Sequence, residues 1–218
     1  MIPYAAVIFD MDGTLLDTER LMVDAGRAAM ARGGLEVRED LLFAMVGLIA
    51  ADGEAMLYDA YGPDLNLDQL NGHWRDAVNE AYARGIPLRS GVGDLIAYLD
   101  TTALPRAVAT NATTKAAIEN LGLAGLTPHF QPDKIHGRDR VRRPKPAPDL
   151  FLHVADALGV DPALCLVFED SDPGTAAALA AGMTVVQVPD QRPAGTRNAH
   201  FIAESLMAGA RAAGLIRQ

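Results

Sequence analysis

Val7-Ile8-Phe9-Asp10-Met11-Asp12-Gly13-Thr14 is the stretch that sets the fold. With Ala5 and Ala6 before it, a short apolar run rich in strand formers stops abruptly at two carboxylates and a glycine. That is the pattern of a strand buried on both faces and ending in a turn. Similar runs recur at residues 104–109, 164–168 and 184–188. Between them lie helical patterns over residues 91–100, 113–120, 147–158 and 173–180. Strands alternating with helices predict an α/β fold, a Rossmann-like parallel sheet with helices on both faces.

Residues 18–84 break the rhythm. They hold no buried strand pattern and predict helices over 19–32, 39–45, 53–61 and 67–83, punctuated by Gly33-Gly34, Gly62-Pro63 and Gly85-Ile86-Pro87. The expected organisation is a core domain of residues 1–16 and 86–218, with residues 17–85 inserted as a helical cap domain. An insert after the first strand is expected over its carboxyl end, where open α/β sheets bind ligands.

Composition narrows the function. The 218 residues are 50% hydrophobic and 22% charged, ordinary for a globular chain. No run suits a membrane span, and Asp10 and Asp12 interrupt the first apolar run against a secretory signal. The single cysteine, Cys165, has no partner for an internal disulfide and sits in an apolar run that favours packing. A cytoplasmic location is the expectation. Nineteen basic against twenty-eight acidic residues, net charge -9, argue against nucleic acid as a partner. A small phosphorylated metabolite remains compatible, because a local cation reverses the field in a cleft.

Asp10 and Asp12 carry the chemistry. Carboxylates ending an apolar strand are costly in a dry site unless paired or bound to a cation. Residues 9–19, Phe-Asp-Met-Asp-Gly-Thr-Leu-Leu-Asp-Thr-Glu, resemble the nucleophile motif of the haloacid dehalogenase superfamily, in its phosphatase and phosphomutase branch with a helical cap. Three further motifs of that family occur in order. Thr110 and Asn111 follow the second apolar run, Lys145 lies in Arg143-Pro144-Lys145-Pro146-Ala147-Pro148-Asp149, and Glu169 and Asp170 lie in Val167-Phe168-Glu169-Asp170-Ser171-Asp172-Pro173-Gly174. Taken singly, Lys145 reads as a loop lysine, and Thr110, Asn111 and Ser171 as helix caps.

The resemblance implies a two-step phosphatase. Asp10 is the expected nucleophile and Asp12 the general acid and base. Mg2+ is the expected cofactor, held by Asp10, Asp170, the Asp12 backbone carbonyl and Glu169. Lys145, Thr110 and the Asn111 backbone amide are expected to hold the phosphoryl group. A cation is needed on physical grounds, since a carboxylate about 4 Å from a phosphate charge is repelled by roughly 4 kcal/mol per charge pair at an effective dielectric near 20.

Asp12 disfavours a dehalogenase, which normally lacks that residue. The alternative is a β-phosphoglucomutase-like sugar phosphomutase. Those mutases resemble this chain in all four motifs but carry a histidine twelve residues after the nucleophile, where Met22 stands here. They also carry an arginine in the next cap segment, whereas residues 46–52 hold none. Hydrolysis of a sugar phosphate or similar small monoester is the expected reaction. A relative without catalysis is disfavoured by the complete catalytic set. Candidate substrate-reading residues in the insert are Glu19, Arg20, residues 47–52 and His73-Trp74-Arg75, although Trp74 reads better as packing and His73 as a surface residue.

Overall fold

The computed structural model describes residues 2–45, 50–190, 193–196 and 198–216. They form two compact units, Met1–Asp17 with Pro87–Gln218, and Thr18–Ile86. In chain order, β1 (Ala6–Phe9) precedes α1 (Thr18–Arg32), α2 (Glu39–Met45), α3 (Ala50–Tyr61) and α4 (Leu67–Ala83). Then come α5 (Val92–Asp100), β2 (Arg106–Thr110), α6 (Thr114–Leu123), β3 (Ile135–Gly137), α7 (Asp149–Leu158) and β4 (Cys165–Glu169). The chain continues through α8 (Asp172–Ala180), β5 (Thr184–Gln187), β6 (Phe201–Ile202) and α9 (Leu206–Ala212).

The first unit is built on one parallel sheet in the order β3-β2-β1-β4-β5-β6. Its central strand is apolar throughout because both faces are covered. Ala6 and Ile8 join Leu150, Phe151, Val154, Val167 and Val185 in one fully buried cluster. Phe9 points the other way, stacked on Phe168 at 5.3 Å and edge-on to Phe130 at 6.0 Å. The chain leaves β1 toward β2 on one side and returns to β4 on the other. The carboxyl ends of β2, β1 and β4 therefore stand side by side at the crossover, where such sheets bind ligands.

Two strands and a helix exceed the expectation. β3 and β6 have only three and two residues, too short for a periodic signal, and α9 follows β6. β3 includes His136, buried against His153 with their ring nitrogens 3.2 Å apart. Burial, with His153, Arg140 and Lys134 nearby, lowers the His136 pKa to about 4, so the pair is held together by a neutral imidazole.

The second unit is helical. α1 packs along α4, and Val23, Met30, Leu41, Leu42, Leu57 and Leu70 form its buried cluster, with Trp74 against it. Trp74 is thus a packing residue. His73 is half-buried rather than on the surface. α3 begins at Ala50, three residues ahead of the expected start. Exposed ion pairs such as Arg27–Glu39 and Arg32–Glu80 decorate the helices and contribute little stability.

Gly26 lets α1 and α4 approach. A Cβ there would lie 2.5 Å from the Trp74 ring and 2.6 Å from a Leu42 methyl. Gly26→Ala is therefore expected to destabilise this unit by roughly 1–3 kcal/mol despite alanine's better helix propensity. Denaturation followed by the fluorescence of Trp74, the sole tryptophan, checks it. An unchanged midpoint would mean that the helices separate freely.

Candidate active site

Asp10 follows β1 directly, and its backbone N–H donates to the Phe168 carbonyl at 2.9 Å. The chain then turns sharply. The Leu15 and Leu16 amides both donate to the Met11 carbonyl at 2.9 Å, and Gly13 donates to the Leu16 carbonyl at 2.9 Å. Gly13 adopts φ 81°, and a Cβ on it would sit 2.5 Å from Asp170 Oδ2. The glycine of the motif is thus required twice, by left-handed backbone and by the closeness of β4's acidic end.

Lys145 joins two of the strand ends. Its buried Nζ donates to Asp10 Oδ1 and to Glu169 Oε1, both at 2.6 Å, and lies 4.8 Å from the Phe151 ring centre. Burial alone would lower the lysine's pKa. Asp10 and Glu169 outweigh it and hold the ammonium charged. The Asp10 carboxyl is raised to about 8, by burial first, then by Glu169 and Asp12, with Lys145 pulling it down. The two directions conflict, since a firmly charged lysine 2.6 Å away favours ionised Asp10. The ion pair is the state consistent with that contact, and a bound cation would favour it further.

Glu169 is fully employed. While Oε1 meets Lys145, Oε2 accepts from the Ser171 amide at 3.1 Å and hydroxyl at 2.8 Å. Ser171 in turn caps α8, its Oγ accepting from the Gly174 amide at 3.2 Å. A Cβ at Gly174 would collide with the Glu169 carboxylate. Thr14 donates to Asp170 Oδ1 at 3.4 Å. Gln187, at the end of β5, donates to the Asp170 carbonyl at 3.3 Å and to Asp172 at 3.0 Å.

Asp10, Glu169 and Asp170 each offer an oxygen within 4.8 Å of the others. Three carboxylates with converging oxygens make an all-oxygen donor set, which fits a hard divalent cation. The residues expected from the sequence are thus brought together at Asp10, Lys145, Glu169 and Asp170. Asp12 sits two residues on, half-buried in the turn. Thr110 ends β2, buried, its Oγ1 accepting from the Ala112 amide at 3.1 Å. Glu19 and Arg20 lie on α1 in the other unit, half-buried and exposed respectively. Of the segment 47–52, residues 47–49 lie outside the described residues.

Asn111 does more than its sequence position suggests. Its carboxamide donates to the Lys145 carbonyl at 3.2 Å and accepts from the Lys145 amide at 3.1 Å. Sequence reading missed this clamp, as it missed Gln187 and the Ser171–Glu169 contact. A polar residue inside the apolar run 184–188 was the available signal for Gln187. Asn111→Ala is expected to lower kcat roughly tenfold, equivalent to about 1.4 kcal/mol, as two modest hydrogen bonds that place Lys145 are lost. Steady-state kinetics of this variant test it, and an unchanged kcat would leave the clamp without a role in turnover.

A hydrolytic phosphoryl-transfer enzyme is the class that this sheet and this carboxylate–lysine cluster define. The family model for haloacid dehalogenase-like hydrolases matches residues 7–188. A fructose-1-phosphate phosphatase of Escherichia coli is 34% identical over 185 residues, 85% of this chain and 96% of that one. A hydrolase of the family from Deinococcus radiodurans, solved with bound phosphate and sodium, superposes with TM-score 0.83 at 28% identity, covering 99% of each chain. A structure described as a putative β-phosphoglucomutase from Thermotoga maritima gives TM-score 0.81 at 26% identity over 97% of this chain and 99% of that one. The chain belongs to the haloacid dehalogenase-like hydrolases, as a phosphoric monoester hydrolase.

Proposed function

We propose that the chain is a magnesium-dependent phosphatase of small phosphate monoesters, sugar phosphates foremost, working through an aspartyl phosphate on Asp10. The observation that carries this reading is the buried Asp10 held 2.6 Å from a Lys145 that also bonds Glu169, with Asp170 beside them.

Asp10 attacks phosphorus, forming an acyl phosphate as the bond to the leaving oxygen breaks, while Asp12 gives that oxygen a proton. Asp12 then takes a proton from water, which attacks the same phosphorus and frees Asp10 and inorganic phosphate. Lys145 holds Asp10 in place and offsets phosphoryl charge, and Thr110 and the Asn111 amide donate to the phosphoryl oxygens. Asp10, Asp170 and the Asp12 carbonyl, with Glu169 close by, would hold the magnesium, which would supply positive charge to offset the nucleophile and phosphoryl group.

The sugar-phosphate preference is supported by the Escherichia coli relative, a phosphatase of fructose 1-phosphate by its description. Met22, a thioether with no proton to give, supports hydrolysis over the mutase reading. Phosphate release from a panel of phosphorylated metabolites, with and without magnesium, ranked by kcat/KM, tests the proposal. The absence of magnesium-dependent release would overturn it, as would isomerisation of β-glucose 1-phosphate without release.

A further inference from the structure

We propose that the arginine-rich strip 138–143 draws the anionic substrate to the site, lowering KM through its charge; this rests on the phosphatase reading above. Four arginines, Arg138, Arg140, Arg142 and Arg143, fall within six residues of a chain whose net charge is -9.

The fold ties this strip to the expected phosphoryl-binding loop. β3 ends at Gly137, in register with Thr110, and the Arg138 amide donates to the Ala112 carbonyl at 2.9 Å. Arg140 Nε donates to Thr114 Oγ1 at 3.2 Å, and Asp139 accepts from the Thr114 amide at 2.6 Å and hydroxyl at 3.0 Å. Beyond the strip, Lys145 is clamped to Asn111. Neighbouring strands lie about 4.8 Å apart, so the strip starts within about one Debye length, ~8 Å, of Thr110.

The charges along it are not equivalent. Arg143 is paired with Asp149 at 2.9 Å, and the Asp139 carboxylate is taken by Thr114. Arg138 and Arg142 are exposed, and among the described residues neither has a hydrogen-bonded or ion-pair side-chain partner. In a chain rich in carboxylates, two guanidinium groups without a side-chain partner among the described residues, on the loop that joins β3 to Lys145, leave that loop locally positive. That charge has a task. Asp10, Glu169 and Asp170 bring three carboxylates around Lys145, and a dianionic substrate has to approach them. Guanidinium groups suit phosphate oxygens, and a positive rim raises the local concentration of the anion. The acidic remainder of the chain points to a small phosphate ester rather than a polyanion.

The test compares wild type with Arg138→Gln/Arg142→Gln in magnesium, from about 20 mM to about 500 mM ionic strength. Arg211→Gln is the control, in the last turn of α9. Nearby Ala213 accepts from Tyr4, just ahead of the amino end of β1, so Arg211 is far from the site. The expected result is a KM raised roughly three- to tenfold at low salt in the double variant, with kcat unchanged. The gap should close at high salt, and the control should match wild type. Equal KM and equal salt dependence in the double variant, or a fall in kcat alone, overturns the proposal while leaving the phosphatase reading intact. Wild type that releases no phosphate overturns both.

Discussion

Asp10→Asn is expected to lower kcat by at least about 10⁴-fold while the protein stays folded. The substitution is isosteric, and the amide oxygen still accepts the Lys145 hydrogen bond that Oδ1 accepts in the native chain. What disappears is the charge and the nucleophilic oxygen. Acid-quenched protein from a reaction with labelled substrate should carry phosphate in the wild type and none in the variant. Asp12→Asn gives a different signature. With an aryl phosphate, whose leaving group needs no protonation, the first step survives and deacylation slows by about 10²- to 10⁴-fold, so the phosphoenzyme accumulates. Turnover at the wild-type rate in Asp10→Asn would remove the covalent mechanism, and rapid deacylation in Asp12→Asn would remove its role as base.

Lys145→Ala carries the second large effect, on activity and on stability together. It removes the ammonium from between Asp10 and Glu169, side chains 10% and 1% exposed, and leaves two buried like charges facing each other. Breaking a buried pair in this way costs roughly 3–5 kcal/mol, and loss of a charged group at the phosphoryl site lowers kcat by about 10²- to 10³-fold. The pH dependence has a definite sign. Without the lysine, which pulls it down, the folded-state pKa of Asp10 rises further above the unfolded value near 4. The stability this preserves is complete below about pH 4 and is lost as pH rises through the raised value. The variant should therefore lie closer to wild type in melting temperature at pH 5 than at pH 8. Millimolar magnesium should narrow the gap at pH 8, since a ligand that binds only the folded state stabilises it. Melting temperatures at the two pH values, with and without magnesium, decide this. A variant as stable as wild type at pH 8 would contradict a buried, charged triad.

Much of the site was legible because its residues stand at the ends of apolar runs. Asp10 after 5–9, Thr110 after 104–109 and Glu169-Asp170 after 164–168 each interrupt a strand pattern with polar groups that burial makes costly. The helices of residues 18–86 were legible from period and glycine punctuation. β3, β6 and Gln187 were not, because a three-residue strand containing histidine and glycine carries no periodic signal. The Asn111 clamp joins residues 34 apart, and no local pattern records which side chain will meet which backbone.

The sequence by itself determined the alternation of strand and helix, the order of the motifs, and the identity of the carboxylates and lysine. The alternation and the carboxylates are written locally, in periodicity and in polar residues at strand ends, whereas Lys145 stood out only through the resemblance of its motif to the family's. Tertiary structure decided the rest. The sheet order set β2, β1 and β4 side by side, which brought Lys145 within 2.6 Å of both Asp10 and Glu169. It also left Arg138 and Arg142 unpaired among the described residues, beside the loop that carries Thr110. Distance in three dimensions, not spacing along the chain, sets how strongly charges act on one another, so only the folded sheet could assign those charges their roles.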